Sequence, residues 1–234
     1  MNPTLHIGFL LFPNVTQLDL TGPAQVLSRV PGAKVHLVWK TPGPVPTDVG
    51  FSINPTTTFD DCPQLDVLCV PGGFGIEALL EDEETLSFLR RQGAQARYVT
   101  SVCTGSLVLG AAGLLHGYRS ACHWMWLPYL ARFGAEPVAE RIVRDRNRFS
   151  GGGVTAGIDF GLALAAELAG DDEARTIQLA LEYNPQPPFD AGSPQGAGPE
   201  IVARLRTLMA ARQERIEPTI ERAAKARIKL TQAE

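Results

Sequence analysis

Short, unbroken apolar runs that end at proline constrain this chain more than any other feature of its sequence. The run from Leu5 to Phe12 stops at Pro13, and the run from Asp66 to Val70 stops at Pro71. Runs of this length, bounded by turn residues, are typical of strands that are buried on both faces, as in a parallel sheet. We therefore expect a sheet that is covered by helices on both sides.

Helical segments alternate with such strands along the chain. Further strands are expected at Val35 to Trp39 and at Tyr98 to Val102, and helices at Asp19 to Val30 and at Thr104 to Leu115. Alternation of this kind implies βαβ units, in which each helix crosses over between two parallel strands. The sequence thus predicts an α/β fold with an open, mostly parallel sheet and helices on both faces.

The later part of the chain is expected to be less regular. A tight glycine turn is expected at Ser150 to Gly153, and a loop rich in proline and glycine at 184–199. A final helix should follow, which Pro218 is expected to kink or break. We expect one α/β domain over residues 1–198 and a helical extension over 199–234 that packs on this domain or on a dimer partner.

Composition excludes several classes of protein. A net charge of −4 argues against a nucleic-acid partner, which usually meets a basic surface. No apolar run approaches the roughly 18 residues that span a bilayer, and the first residues lack the layout of a secretory signal. We therefore expect a cytoplasmic protein without a membrane partner, whose cysteines Cys62, Cys69, Cys103 and Cys122 stay reduced.

Cys103 is expected at a sharp turn between a strand and a helix of small residues. In open parallel sheets, ligands bind outside the carboxyl ends of the strands, where this residue would lie. Such a turn is typical of a nucleophile elbow, and the helix N-terminus should favour the thiolate. The alternative is a buried, inert core cysteine, and the residues alone leave both interpretations open.

Two further loops carry residues suited to chemistry. Gly72 and Gly73 follow a strand end, where glycine lets the backbone approach a ligand and direct N–H donors at developing negative charge. Asp19 follows the first strand, and its carboxyl group could exchange a proton with Cys103. A plain turn for the glycines and a helix N-cap for Asp19 are the alternatives.

Taken together, these loops resemble the ThiJ/PfpI superfamily. The resemblance covers roughly residues 5–181. It rests on the motifs GFLLFP at 8–13, DLTGP at 19–23, DVLCVPGG at 66–73, SVCTGS at 101–106, CHW at 122–124 and GGVTAGIDFG at 152–161. It implies a flavodoxin-like fold, a reactive cysteine that an acidic residue of the first loop contacts, and a homodimer.

Within the superfamily, the chain is most similar to the isocyanide hydratase branch. Asp19 stands where many other branches carry Glu, Thr104 follows the cysteine, and YNPQPPFDAGSP at 183–194 suits this branch. The resemblance implies a lyase that hydrates a small isocyanide to an N-substituted formamide through a covalent thioimidate. Cys103 would be the nucleophile, Asp19 the proton donor and base, and Thr104 the residue that orients the carboxyl group or water.

The resemblance also implies that Gly152 and Val154 join Gly72 and Gly73 in binding the substrate, and that neither a metal nor another cofactor is needed. His123 is expected to have a structural role rather than to face the cleft. A redox or stress-response protein, in which Cys103 is oxidised to a sulfinic acid, remains an alternative. So does a ligand-binding domain related to transcription regulators, although residues after 198 are too few for a helix-turn-helix module.

Overall fold

The computed structural model describes residues 4–231. The first three residues of the expected domain and the last three of the expected extension lie outside the described residues. The strands are β1 (Leu5–Leu10), β2 (Ala33–Trp39), β3 (Val45–Pro46), β4 (Ser52–Ile53), β5 (Thr57–Thr58), β6 (Val67–Val70), β7 (Tyr98–Val102), β8 (Arg119–Ser120), β9 (Glu136–Pro137), β10 (Ile142–Asp145) and β11 (Arg148–Gly151). The helices are α1 (Gln17–Leu27), α2 (Ile76–Leu79), α3 (Glu83–Gly93), α4 (Gly105–Ala111), α5 (Ala156–Ala169), α6 (Asp171–Ala180) and α7 (Pro194–Thr231), with a 3-10 helix at Leu127–Phe133.

A seven-stranded sheet in the order β10-β11-β7-β6-β1-β2-β5 forms the centre of the molecule. All neighbouring pairs in it are parallel except β10 and β11, which are antiparallel. Helices α1 and α5 pack against each other in one group, and α4 packs with α2, α3 and α7 in another. The predicted α/β fold, with a mostly parallel sheet between helices, is confirmed.

The central strands form where apolar side chains can be buried on both faces of the sheet. All four residues of β6 are buried, and Ile7 and Phe9 of β1 are fully shielded from solvent. Strand β7 has the predicted bounds, Tyr98–Val102. Because β1, β6 and β7 are parallel neighbours, the loops that follow them meet at one edge of the sheet.

Residues 148–151 form a strand that the sequence analysis missed, so the tight turn expected at Ser150 to Gly153 is wrong. Ser150 is paired with Ser101 and Gly151 with Val102, in parallel register with β7. The backbone hydrogen bonds of this pairing, rather than local propensity, make the segment a strand. The chain turns only after Gly151, before it enters α5.

Helix α7 differs from the expected final helix in where it begins and in what happens at Pro218. It begins within the expected loop, at Pro194, and is interrupted at Gly198, whose φ is 77°. It is not broken at Pro218. Pro218 has no N–H to donate to the carbonyl group of Glu214, four residues earlier. Because both residues are exposed, this carbonyl group can bind water instead.

The second half of α7 lies against the rest of the chain. Ile216 and Ile220 are fully buried, and the helix contacts α4 and the 3-10 helix. The division into a domain of residues 1–198 and an extension of 199–234 stays a prediction. None of the helices within residues 4–231 has both the length and the apolar character that a bilayer crossing requires.

Candidate active site

Cys103 is held in a strained turn between β7 and α4. Its φ is 57°, a left-handed conformation that is uncommon for residues with a side chain. The Cys103 N–H donates to the Gly151 carbonyl at 3.0 Å, so β11 holds this turn in place. Gly105 completes it, since a Cβ there would lie 2.0 Å from the Val70 carbonyl oxygen. The turn has the geometry of a nucleophile elbow, and Cys103 is 6% exposed.

Asp19 lies in the first turn of α1 and is fully buried. Its helix begins two residues before it, so Thr16, not Asp19, occupies the N-cap position. The Gly72 N–H donates to Asp19 Oδ2 at 2.9 Å. Asp19 Oδ1 has no hydrogen-bond partner among the described residues. One carboxyl oxygen is thus fixed while the other remains available for a proton or a ligand.

Thr104 is the buried N-cap residue of α4. Its Oγ1 accepts a hydrogen bond of 3.1 Å from the Gly73 N–H. The backbone N–H groups of Gly72 and Gly73 therefore both have protein acceptors, and they position Asp19 and Thr104 rather than point at an empty site. Gly72 has no room for a side chain, because a Cβ would lie 2.6 Å from Thr104 Oγ1 and 2.8 Å from Asp19 Oδ2.

The Asp19 carboxyl group is poised to exchange a proton near neutral pH. Burial raises its pKa to about 7, in spite of the hydrogen bond from Gly72 and the nearby Cys103 thiol, which both lower it. The charge of Asp48 adds to the increase in this pKa. A general acid or base works best when its pKa is close to the working pH.

The environment of Cys103 favours the thiol form of its side chain. Burial raises the pKa of this thiol well above its ordinary value, and the charge of Asp19 and the sulfur of Cys122 raise it further. The Thr104 N–H lowers it, as expected at a helix N-terminus. The helix N-terminus thus favours the thiolate, as expected, but desolvation of the sulfur outweighs this contribution.

Gly152 and Val154 lie in the connection between β11 and α5. This connection follows Gly151 directly, so it begins beside the elbow. The Gly152 N–H donates to the Arg141 carbonyl at 2.9 Å, which fixes the start of the connection. That Gly152 and Val154 line a substrate pocket stays a prediction.

Two further side chains lie near this group. His123 Nδ1 accepts a hydrogen bond of 3.4 Å from the Met125 N–H, and burial and the charge of Arg212 lower the His123 pKa. Arg212, on α7, donates from Nη2 to the Gly73 carbonyl at 3.0 Å. Within residues 4–231, no group of three or more His, Cys, Asp or Glu side chains is arranged to hold a metal ion.

The sequence analysis missed Arg212, although a signal for it exists. At four-residue spacing, Leu208, Arg212, Ile216 and Ile220 form one line along α7. Residues spaced in this way share a helix face, so Arg212 interrupts an otherwise apolar stripe. A charged residue on the packed face of a helix indicates a specific partner inside the protein.

The sequence matches the DJ-1/PfpI family over residues 6–167. It is 61% identical, over 202 residues, to the isonitrile hydratase of Pseudomonas putida, covering 86% of this chain and 89% of that protein. The HTH-type transcriptional regulator GbdR of Pseudomonas aeruginosa is 33% identical over 184 residues, which are 75% of this chain and 48% of the regulator. The crystal structure of a ThiJ/PfpI family protein from Pseudomonas syringae superposes with a TM-score of 0.87 at 46% identity, covering 94% of this chain and 90% of that one. The resemblance expected from the motifs is therefore confirmed, and the chain belongs to the DJ-1/PfpI family.

Proposed function

We propose that this chain is an isocyanide hydratase, which adds water to R–N≡C and releases the formamide R–NH–CHO. The observation that carries the proposal is the 61% identity to the isonitrile hydratase of Pseudomonas putida over 86% of this chain. The site supports it chemically, because hydration at a single carbon needs a nucleophile and a group that both gives and takes protons. Cys103 and Asp19 supply these two groups side by side.

In the first step, Cys103 Sγ bonds to the terminal isocyanide carbon. The thiol proton passes to Asp19 Oδ1, the oxygen that has no other partner, and from there to the same carbon. The product is the thioimidate R–N=CH–S–Cys103, in which the carbon has gained both the sulfur and the proton. Because Asp19 titrates near neutral pH, it can both accept this proton and release it to the carbon.

In the second step, water adds to the thioimidate carbon. Asp19 takes one water proton and delivers it to the nitrogen, which gives R–NH–CH(OH)–S–Cys103. The carbon–sulfur bond then breaks with its electron pair on sulfur, and the hydroxyl proton returns through Asp19 to restore the thiol. Thr104 Oγ1 accepts from Gly73, so its own proton is directed toward the carboxyl group or the water.

The same proposal extends to binding and assembly. Gly152 and Val154 line the substrate pocket, whereas Gly72 and Gly73 act through the side chains that they position. The chain works as a homodimer in the cytoplasm, without nucleic acid, and the reaction uses no metal or other cofactor. The buried carboxyl group of Asp19 supports turnover, because it can move the protons that hydration requires.

A regulatory function has less support. The match to GbdR covers about half of that regulator. An enzyme therefore accounts better for the strained cysteine turn and its buried carboxyl partner.

The test is formamide production from cyclohexyl or para-nitrophenyl isocyanide. We expect turnover by the wild type that falls by about 10³-fold or more in both Cys103→Ala and Asp19→Asn, since each removes a group of the covalent route. Cys62→Ala, a half-buried cysteine away from the elbow, is the control and should keep wild-type activity. Intact-mass analysis under turnover should show a covalent addition equal to one isocyanide.

A folded, reduced wild type that produces no formamide from either compound would reject the hydratase. Loss of activity in Cys103→Ala alone would keep the nucleophile and reject the proton-transfer role of Asp19. Turnover without any covalent addition in rapidly quenched samples would argue for direct attack of water on the isocyanide.

A further inference from the structure

We infer that Arg212, carried by α7, is the electrostatic partner of the Cys103 sulfur and stabilises the thiolate that forms during attack and product release. Arg212 acts through the sulfur and is a positioning residue rather than a substrate ligand. The inference deepens the proposed function and rests on it for the place of the thiolate in the reaction. The pairing itself is a property of the protein that can be measured without any isocyanide.

A short chain of contacts connects Arg212 to the elbow. Arg212 Nη2 donates to the Gly73 carbonyl at 3.0 Å, and the N–H of the same residue donates to Thr104 Oγ1 at 3.1 Å. Thr104 directly follows Cys103 in the sequence. The guanidinium group is therefore held at the glycine loop that also positions Asp19, on the edge of the sheet where Cys103 lies.

The guanidinium group of Arg212 has unused hydrogen-bonding capacity. Its neighbours on α7, Arg215 and Arg222, form ion pairs with Glu77 and Glu81. Arg212 forms no ion pair among the described residues, and its Nε is buried there without a hydrogen-bond partner. Arg212 is half-buried and its closest described anion is the charge of Glu77, which already pairs with Arg215. A buried donor of a charged group that is left without a partner is costly, so its position near a nucleophile suits a place for negative charge.

Two aromatic rings flank the same guanidinium group. Its central carbon lies 4.1 Å from the centre of the Phe74 ring and 5.3 Å from that of the Trp126 ring. These cation–π contacts fix the group without neutralising it. The Trp126 ring is buried and shields one side of the group from water, and a charge acts more strongly on its neighbours where the local dielectric constant is low.

The anion that the site produces is the Cys103 thiolate. Sulfur becomes negative when the thiol proton moves to Asp19, and again when the carbon–sulfur bond breaks with its electron pair on sulfur. Burial and the Asp19 carboxylate both oppose this charge, so a cation held at the same edge of the sheet would offset their effect. Burial lowers the pKa of Arg212, and the negative charge of Cys103 raises it, as expected if the two groups interact.

The test measures how the rate of Cys103 alkylation by iodoacetamide depends on pH, by mass spectrometry of the Cys103 peptide. The variants are Arg212→Met, Arg212→Gln and Arg212→Lys, with Arg215→Met as a control for removing a charge from the same helix. We expect the two neutral variants to react at least about tenfold more slowly at pH 8, with the pH midpoint shifted upward, because an opposite charge nearby lowers a thiol pKa by about one unit or more. Arg212→Lys should stay within about threefold of the wild type, because its charge remains.

Arg212→Gln keeps a donor for the Gly73 carbonyl, so it covers the case in which the methionine variant does not fold. Thermal unfolding reports whether each variant is folded. Neutral variants with wild-type alkylation rates and pH midpoints would overturn the inference. So would equal slowing in Arg212→Lys and Arg212→Gln, which would indicate a structural role only.

The same samples separate this inference from the proposed function. A wild type without hydratase activity, but with alkylation that depends on Arg212, would reject the hydratase and retain the pairing of Arg212 with Cys103. If the wild type is active but its alkylation does not depend on Arg212, the hydratase is retained and the pairing of Arg212 with Cys103 is rejected.

Discussion

At the scale of single residues, the two oxygens of the Asp19 carboxyl group have different environments. Oδ2 accepts from the Gly72 N–H, whereas Oδ1 has no partner in the described part of the chain. The fixed oxygen holds the group in place, and the other is free to carry a proton. A residue that must give and take the same proton within one turnover benefits from such a division.

Replacing Asp19 by Asn should change the pH dependence of stability. The pKa of Asp19 rises from 3.8 in the unfolded chain to about 7 in the fold, so its protonated form is favoured on folding. Its contribution is complete below pH 3.8 and is lost as pH rises through 7. From pH 5 to pH 8, the free energy of unfolding of the wild type should fall relative to Asp19→Asn by roughly 3 kcal/mol, measured by urea unfolding. Parallel curves for the two proteins would contradict the raised pKa.

Gly72 has no room for a side chain in the site, so Gly72→Ala should disturb it. The added Cβ would lie 2.6 Å from the Thr104 backbone nitrogen and 2.8 Å from Asp19 Oδ2. We expect a loss of about 1–3 kcal/mol in stability and at least a tenfold loss in kcat, by chemical unfolding and by formamide production. Gly153→Ala is the matched control, because no atom lies within 4 Å of its added Cβ. Equal effects of the two substitutions would show that Gly72 is not specially constrained.

The sequence was sufficient to nominate Cys103 and Asp19, because each follows a strand end whose position local patterns reveal, and the family resemblance added Thr104. It was not sufficient for the protonation state of Cys103, since that depends on how completely the sulfur is buried. Nor did it lead to Arg212, whose hydrogen-bond partner Gly73 is 139 residues away in the sequence. Burial and long-range contacts become defined only when the whole chain has folded.

At the scale of secondary-structure elements, the strand β7, the turn at Cys103 and the helix α4 act as one strained unit. The left-handed conformation of Cys103 costs about 1 kcal/mol for a residue with a Cβ, and glycine avoids this cost. Cys103→Gly should therefore be more stable than Cys103→Ala by about 1 kcal/mol in chemical unfolding, although glycine is the smaller residue. A more stable alanine variant would mean that the turn relaxes when the sulfur is removed.

Elements differed in how well the sequence predicted them. Strand β7 leads directly into a helix of small residues, and its bounds were predicted correctly. Strand β11 consists of Arg148, Phe149, Ser150 and Gly151, which show no strand pattern of their own. Its pairing with β7 supplies the reason for its structure. The strand that holds the Cys103 N–H was therefore the one that local patterns could not reveal.

At the scale of the whole molecule, a pair of histidines connects two neighbouring central strands. His6 Nδ1, on β1, and His36 Nε2, on β2, lie 2.9 Å apart. Burial, the neighbouring His6 and the charge of Lys34 lower the pKa of His36. The folded chain therefore favours the neutral form of His36, and stability is lost as pH falls below about 6.5, the usual value of the unfolded residue.

His36→Gln should reduce the loss of stability that the wild type undergoes between pH 7 and pH 5. The expected readout is the melting temperature at each pH, with a smaller decrease for the variant because it has no proton to gain. His116→Gln, which replaces an exposed histidine, serves as the control and should follow the wild type. If the melting temperature of His36→Gln falls as much as that of the wild type, other groups cause the acid sensitivity.

The hydrogen bond between Arg212 and Gly73 has a consequence for how the protein is made. Arg212 lies 109 residues beyond Cys103 in the sequence (212 minus 103), so the ribosome adds it later. At about 5–20 residues per second, this interval lasts roughly 5–20 s. During it, the nascent polypeptide carries the nucleophile without the cation that stabilises its anionic form. The pairing of Arg212 with Cys103 can therefore form only after translation has delivered α7.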